Sequence, residues 1–179
     1  WYHEAYPDVA AAGLDDWQYE AIEVESADFE ELVRGLPGRG FAGANVTVPH
    51  KEAALAIADE ASGVAIAIGA VNTLIFSEGL IRAENTDAPG LIDALVDGDH
   101  DHAGGESAGG GRGLAGKRAL ALGAGGAGRA VAWALADAGM DVMLWNRTRL
   151  KAEGLAAEFG IEVIPAEQHG EIDPGPFDV

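Results

Sequence analysis

Three short stretches of this chain carry polar side chains at spacings that suit chemistry: Asn45-Val46-Thr47-Val48-Pro49-His50-Lys51, Gly69-Ala70-Val71-Asn72-Thr73 and Asn85-Thr86-Asp87. Each falls where the chain is expected to turn, so their polar groups can face one small polyhydroxylated ligand. Lys51 and Asp87 stand out as an acid/base pair. Downstream, Gly123-Ala124-Gly125-Gly126-Ala127-Gly128 has the form of a dinucleotide loop. A polar site followed by a nicotinamide-type site is the layout of a small-molecule dehydrogenase.

The glycine loop follows an expected strand and precedes an expected helix, the context that lifts this pattern above chance. Gly123 permits a tight turn, Gly125 lets the backbone approach a pyrophosphate, and Gly128 allows close helix-to-strand packing. The helix amino end attracts phosphate charge. The next strand indicates which nucleotide. An NAD site normally places an acidic residue there to bind the ribose 2′-hydroxyl, but this strand ends in Trp145-Asn146-Arg147-Thr148-Arg149. Two guanidiniums and a hydroxyl suit a 2′-phosphate. Cations are electrostatically misplaced at a helix start unless an anion sits there. The expected cofactor is NADP, held by the glycine loop with Asn146, Arg147 and Thr148.

Composition narrows the classes. Of 179 residues, 48% are hydrophobic, which supports a real core and argues against wholesale disorder. No apolar run reaches the roughly 18 residues of a membrane span. The chain begins at Trp1 rather than a methionine, so a cytoplasmic location is expected from the motifs, not from a missing leader. The absence of cysteine excludes disulfides and thiolate metal sites. A net charge of −19, from 30 acidic and 11 basic residues, argues against nucleic acid as a partner. The acids are dispersed, and only Lys51, Lys117 and Lys151 are lysines. That balance is similar to proteins of salt-loving organisms, where salt screens self-repulsion.

The elements that must position these residues alternate between strand and helix, which implies an α/β fold with mostly parallel sheets. Tyr19 to Val24 reads as a strand, and Ser26 as the N-cap of a helix carrying Phe29, Leu32 and Val33. Gly35 to Gly40, with Pro37, ends that helix. Phe41 to Val48 is the next expected strand, and Pro49 is suited to open a helix running to about Ala61. Ala70 to Phe76 and Leu80 to Ala83 fit strands joined by a turn at Glu78-Gly79. Thr86 or Asp87 can cap a helix over Leu91 to Val96. Asp97 to Gly113 holds seven glycines, three aspartates and two histidines, and reads as a linker. His100 and His102 lack further well-spaced ligands, so a metal site is not expected.

Beyond the linker, Arg118 to Leu122, Asp141 to Trp145 and Ile161 to Ile164 read as strands. Ala127 to Ala138 and Leu150 to Phe159 read as helices. Phe177-Asp178-Val179 resembles the approach to a fourth strand. The expected plan is an α/β substrate domain over 1–97, a Gly/Asp-rich linker over 98–116, and an incomplete Rossmann-type doubly wound NADP-binding domain over 117–179.

The ordered segments Asn45 to Lys51, Ile68 to Leu74 and Asn85 to Asp87 resemble shikimate dehydrogenase in order and spacing. The glycine loop and Asn146-Arg147-Thr148 resemble its NADP-dependent form. The resemblance covers nearly the whole chain. It implies reversible, NADPH-dependent reduction of 3-dehydroshikimate to shikimate, in the pathway to chorismate and aromatic amino acids. It assigns Lys51 and Asp87 as the catalytic pair, and Asn45, Thr47 and Asn72 as ligands of the substrate hydroxyls. It matches His3 to a histidine near the family's first helix. Physical chemistry agrees: an ammonium stabilises and protonates the oxygen that becomes negative as hydride reaches a ketone. Read singly, Lys51 is also a solvated first-turn lysine and Asp87 an ordinary N-cap.

There are departures from the family pattern. Its opening strand and serine-rich segment are missing here, as are its later nucleotide-domain strands and a glutamine-bearing segment, so an internal fragment is expected. Asp87 is followed by Ala88-Pro89-Gly90, and Ala83 stands where glycine is common. Three alternatives remain open. A quinate/shikimate enzyme would favour an acid after the second nucleotide-domain strand. A ligand-binding sensor would lack the lysine or the aspartate. A cyclohydrolase-like or amino-acid-dehydrogenase-like relative would not explain the substrate motifs. Whether the intact protein is a monomer or a homodimer is open.

Overall fold

Phe29 and Val33, one turn apart on α1 (Phe29–Gly35), are both buried, and a 3-10 turn over Pro37–Arg39 closes the helix with Gly40 at φ 89°. These details come from a computed structural model, which describes residues 17–100, 113–164 and 177–179. The following elements are β1 (Gly43–Asn45), α2 (Lys51–Ala56), β2 (Glu60–Ala61), α3 (Gly63–Ile68), β3 (Thr73–Ser77), β4 (Leu80–Glu84) and α4 (Asp87–His100). The remainder comprises β5 (Arg118–Leu122), α5 (Gly126–Asp137), β6 (Asp141–Trp145), α6 (Arg149–Phe159) and β7 (Glu162–Val163).

Two sheets result. The first has the order β1-β3-β4-β2, with β1 and β4 both antiparallel to β3 and only β2 parallel to its neighbour. The expectation of mostly parallel sheets therefore fails here. Glu78 and Gly79, at φ 56° and 78°, make the tight turn between β3 and β4 that forces the antiparallel pairing. The second sheet, β5-β6-β7, is wholly parallel, and its crossovers are α5 and α6. Val179 and Asp178 exchange backbone hydrogen bonds with the other side of β5 without forming a regular strand.

Several expected elements differ. Tyr19 to Val24 forms no strand and belongs to neither sheet among the described residues, because no described strand lies alongside to complete a ladder. Ser26 is not the cap of α1. Asp28 holds that position, without a side-chain bond. Pro49 lies in a turn rather than opening a helix, and α2 begins at Lys51 and stops at Ala56. The residues expected to prolong it supply β2 instead. α4 runs to His100, past the expected start of the linker.

Packing joins α4 to the second sheet. Leu91, Ile92, Leu95 and Val96 of α4 pack against the core of the second sheet, and so does Leu114. Leu91 and Ile92 of the same helix also pack against Ile68, Ala70 and Ala88, so α4 touches both cores. His3, His102 and most of the linker lie outside the described residues. Among the described residues no helix is long and apolar enough to cross a membrane.

Candidate active site

Backbone hydrogen bonds stitch the three polar stretches together before any side chain acts. Val46 N–H donates to Asn72 O (2.7 Å), Val71 N–H to Lys51 O (3.0 Å) and Asn72 N–H to Glu84 O (3.1 Å). The first stretch leaves β1, turns through His50 N–H to Thr47 O (2.9 Å), and enters α2 at Lys51. His50 fixes that turn from behind: its ring stacks on Phe29 at 4.6 Å, and its Nε2 lies 3.1 Å from Val24 O.

The third stretch is shaped by Asn85, which is buried. Its Nδ2 donates to Ala70 O (2.9 Å), and its Oδ1 accepts from Asp87 N–H (3.1 Å) and Ala88 N–H (3.2 Å). Two amino-end N–H groups of α4 are satisfied in this way. The side chain that does this precedes both residues expected to cap the helix. Thr86 sits at the cap position and its carbonyl accepts from Gly90 N–H at 3.2 Å.

On this frame Lys51 and Asp87 meet. Lys51 Nζ donates to Asp87 Oδ2 at 2.5 Å, and the lysine side chain is 11% exposed against 33% for the aspartate. The other carboxylate oxygen, Oδ1, accepts from Asn72 Nδ2 at 2.7 Å. Asn72 also donates to Thr86 Oγ1 (2.9 Å), and its own oxygen accepts from Thr86 N–H (2.9 Å) and Thr73 Oγ1 (3.1 Å). Thr73 in turn accepts from Asn45 Nδ2 at 3.4 Å, and Asn45 Oδ1 accepts from Tyr19 Oη at 3.2 Å.

Asn45, Asn72, Lys51 and Asp87 thus form one chain of polar groups. Thr47 is exposed beside it and outside its hydrogen bonds. Thr73, Thr86 and Asn85 lie within the three polar stretches, but sequence reasoning gave none of them a role of its own in the site. A cavity of about 140 Å³ lies beyond Asn45 and Thr47, lined by Val24, Phe29, Val33 and Phe41. Its walls are largely apolar, and neither Lys51 nor Asp87 lines it.

The glycine loop stands across from this network. Gly123 has φ 106° and donates its N–H to Trp145 O at 2.7 Å. Ala124 N–H donates to Asn146 Oδ1 (3.2 Å), and Asn146 Nδ2 donates to Thr148 O (2.8 Å). Asn146 therefore shapes both the loop and the start of α6. A Cβ on Gly128 would strike the carbonyl of Gly123, so only glycine lets α5 pack this closely. A Cβ on Gly123 or Gly125 would meet nothing within 4 Å, which leaves open space over the loop.

No side chain caps the amino end of α5, which begins at Gly126 beside Ala127. Open backbone and an uncapped helix start fit a pyrophosphate. Of the two arginines after β6, Arg149 is paired with Glu153 at 2.7 Å. Arg147 is exposed and pairs with no carboxylate among the described residues, next to Thr148. A guanidinium and a hydroxyl so placed fit a phosphate monoester.

Residues 2–74 match the family model of the shikimate dehydrogenase substrate binding domain, and residues 107–172 that of shikimate / quinate 5-dehydrogenase. The chain belongs to the shikimate dehydrogenase family. It is 48% identical over 175 residues to the shikimate dehydrogenase (NADP(+)) of Thermus thermophilus, covering 94% of this chain and 60% of that protein. It is 51% identical over 145 residues to the enzyme of the same name from Methylobacterium radiotolerans, covering 78% and 47%. A crystal structure of shikimate 5-dehydrogenase from Thermus thermophilus, in complex with NADP(H) and shikimate, superposes with a TM-score of 0.74 at 42% identity. That match covers 89% of this chain and 56% of the other. The chain therefore spans about half to three fifths of the length of these relatives.

Proposed function

We propose that this chain carries the catalytic pair and the nucleotide loop of an NADP-dependent shikimate dehydrogenase. The enzyme reversibly reduces 3-dehydroshikimate to shikimate, in the pathway to chorismate and aromatic amino acids. The observation that carries this reading is the Lys51–Asp87 pair at 2.5 Å, held by Asn72 and facing the glycine loop. Bound NADPH supplies the hydride. Lys51 donates a hydrogen bond to the substrate carbonyl oxygen, stabilises its growing negative charge and delivers the proton that makes the hydroxyl. In the reverse direction the pair takes that proton back. Asp87 keeps the ammonium aimed. Asn45, Thr47 and Asn72 bind the ring hydroxyls, since amides and hydroxyls both donate and accept. The backbone of Gly123 to Gly128 takes the pyrophosphate, while Arg147 and Thr148, framed by Asn146, take the 2′-phosphate.

The test follows nicotinamide absorbance with shikimate and NADP, using the intact protein and its Lys51→Ala variant. Rapid shikimate-dependent reduction, lost in the variant while NADP still binds, supports the reading. Nucleotide binding without turnover in the wild type points instead to a sensor. Equal turnover of quinate and shikimate points to the broader quinate/shikimate activity. The motifs support a cytoplasmic enzyme, and the net charge of −19 supports one suited to high salt. Its melting temperature then rises from dilute buffer to molar salt, and equal values in both contradict this.

A further inference from the structure

The first turns of α5 do more than face the nucleotide. Gly126, Ala130 and Ala134 recur at four-residue spacing, so they share one stripe of the helix. Ala130 and Ala134 are buried with Ile68, Ala70 and Ala88, which come from α3, the segment after it and α4. At the head of the stripe, a Cβ on Gly126 would lie 2.8 Å from Lys51 Cβ and 3.1 Å from its Cδ. The stem of Lys51 therefore occupies the place of the missing side chain.

Arg129, beside the stripe, spans the seam. Its Nε donates to Ile68 O at 2.7 Å, and its Nη2 donates to Glu158 Oε1 on α6 at 2.5 Å. The guanidinium also lies over the Phe159 ring, 5.4 Å from its centroid. Ile68 ends α3, so its carbonyl is one the helix cannot satisfy internally. Gly69 follows at φ 74°, and a Cβ there would collide with the guanidinium. The seat is thus cut to a planar, two-armed cation, which a lysine does not reproduce.

From these contacts we infer that Arg129 is a positioning residue that latches the nucleotide helix to the end of α3 on the substrate side, so that the pose of the glycine loop sets the pose of Lys51. Its guanidinium is engaged by Ile68 O, Glu158 and the Phe159 ring. Losing it frees the two halves to separate while the loop, built by Asn146 and the glycines, keeps its shape. The effect on turnover rests on the activity proposed above.

The experiment uses the intact protein with Arg129→Ala. It measures kcat, NADP affinity by fluorescence titration, and the radius of gyration by X-ray scattering without ligands. The latch predicts a kcat loss of about 100-fold from misplacement of the reacting groups, NADP affinity unchanged, and a larger radius of gyration. Wild-type kcat and radius in the variant overturn it. So does a loss of NADP affinity as large as the loss of turnover, which makes Arg129 a nucleotide ligand instead. If Arg129→Ala does not fold, Arg129→Lys asks the same question with stem and charge retained. If the wild type does not oxidise shikimate, the proposed activity fails while the scattering comparison still decides the latch.

Discussion

The two halves of the candidate site are built by opposite means. On the proposed substrate side, the site is built from side chains that hold one another: Asp87 has one oxygen on Lys51 and the other on Asn72, and Asn72 is further tied to Thr86 and Thr73. On the nucleotide side it rests on backbone shape and on atoms left out, with Asn146 as the main side-chain brace. A network of side chains fails when atoms are removed. A cradle of glycines fails when atoms are added.

The sharpest way to break the comparison is to add a methyl where none fits. Gly128→Ala drives a Cβ into the Gly123 carbonyl, so NADP binding is expected to be lost outright in a titration. A variant that binds NADP normally would show that the loop is not a packed cradle. On the substrate side, Asp87→Asn keeps the shape but removes the charge that aims Lys51. A kcat loss of about 100-fold or more is expected, with NADP affinity intact. A loss confined to KM would make Asp87 a binding group alone.

Arg147→Ala sharpens the nucleotide half. Removing one charge-assisted bond is expected to weaken NADP binding by about 1.5–3 kcal/mol while leaving NAD unaffected. Equal weakening of both nucleotides would place Arg147 away from the 2′-phosphate. Asn85→Ala tests the frame rather than the chemistry. It strands Ala70 O and two α4 N–H groups, and a destabilisation of about 1–3 kcal/mol in denaturant unfolding is expected. The smallest effect belongs to Arg34→Ala. Its pair with Glu30 is half exposed, and about 0.5 kcal/mol or less is expected.

Legibility in the sequence followed the same divide. β5 and β6 run over the residues expected of them, because each is a short apolar run beside a glycine turn. Lys51 and Asp87, 36 residues apart, are brought together as their pairing requires. Tyr19 to Val24 misled because alternation marks a strand only where a neighbour completes the ladder. β2 was invisible because two residues carry no period. The antiparallel pairing of the first sheet was implicit in the Glu78-Gly79 turn but overridden by the α/β pattern. The parts that no local signal reveals are contacts across the seam: Arg129 on Ile68, Gly126 on Lys51, and the apolar face of α4 on the second sheet. Each depends on where two distant segments come to rest.

The central claim is that Lys51 and Asp87 work as one unit. A double-mutant cycle in kcat/KM for shikimate oxidation, using Lys51→Ala, Asp87→Ala and both together, tests it most directly. A double variant about as slow as Lys51→Ala alone is the predicted result, because an aspartate with no ammonium to aim has nothing left to contribute. Losses that add independently would contradict it.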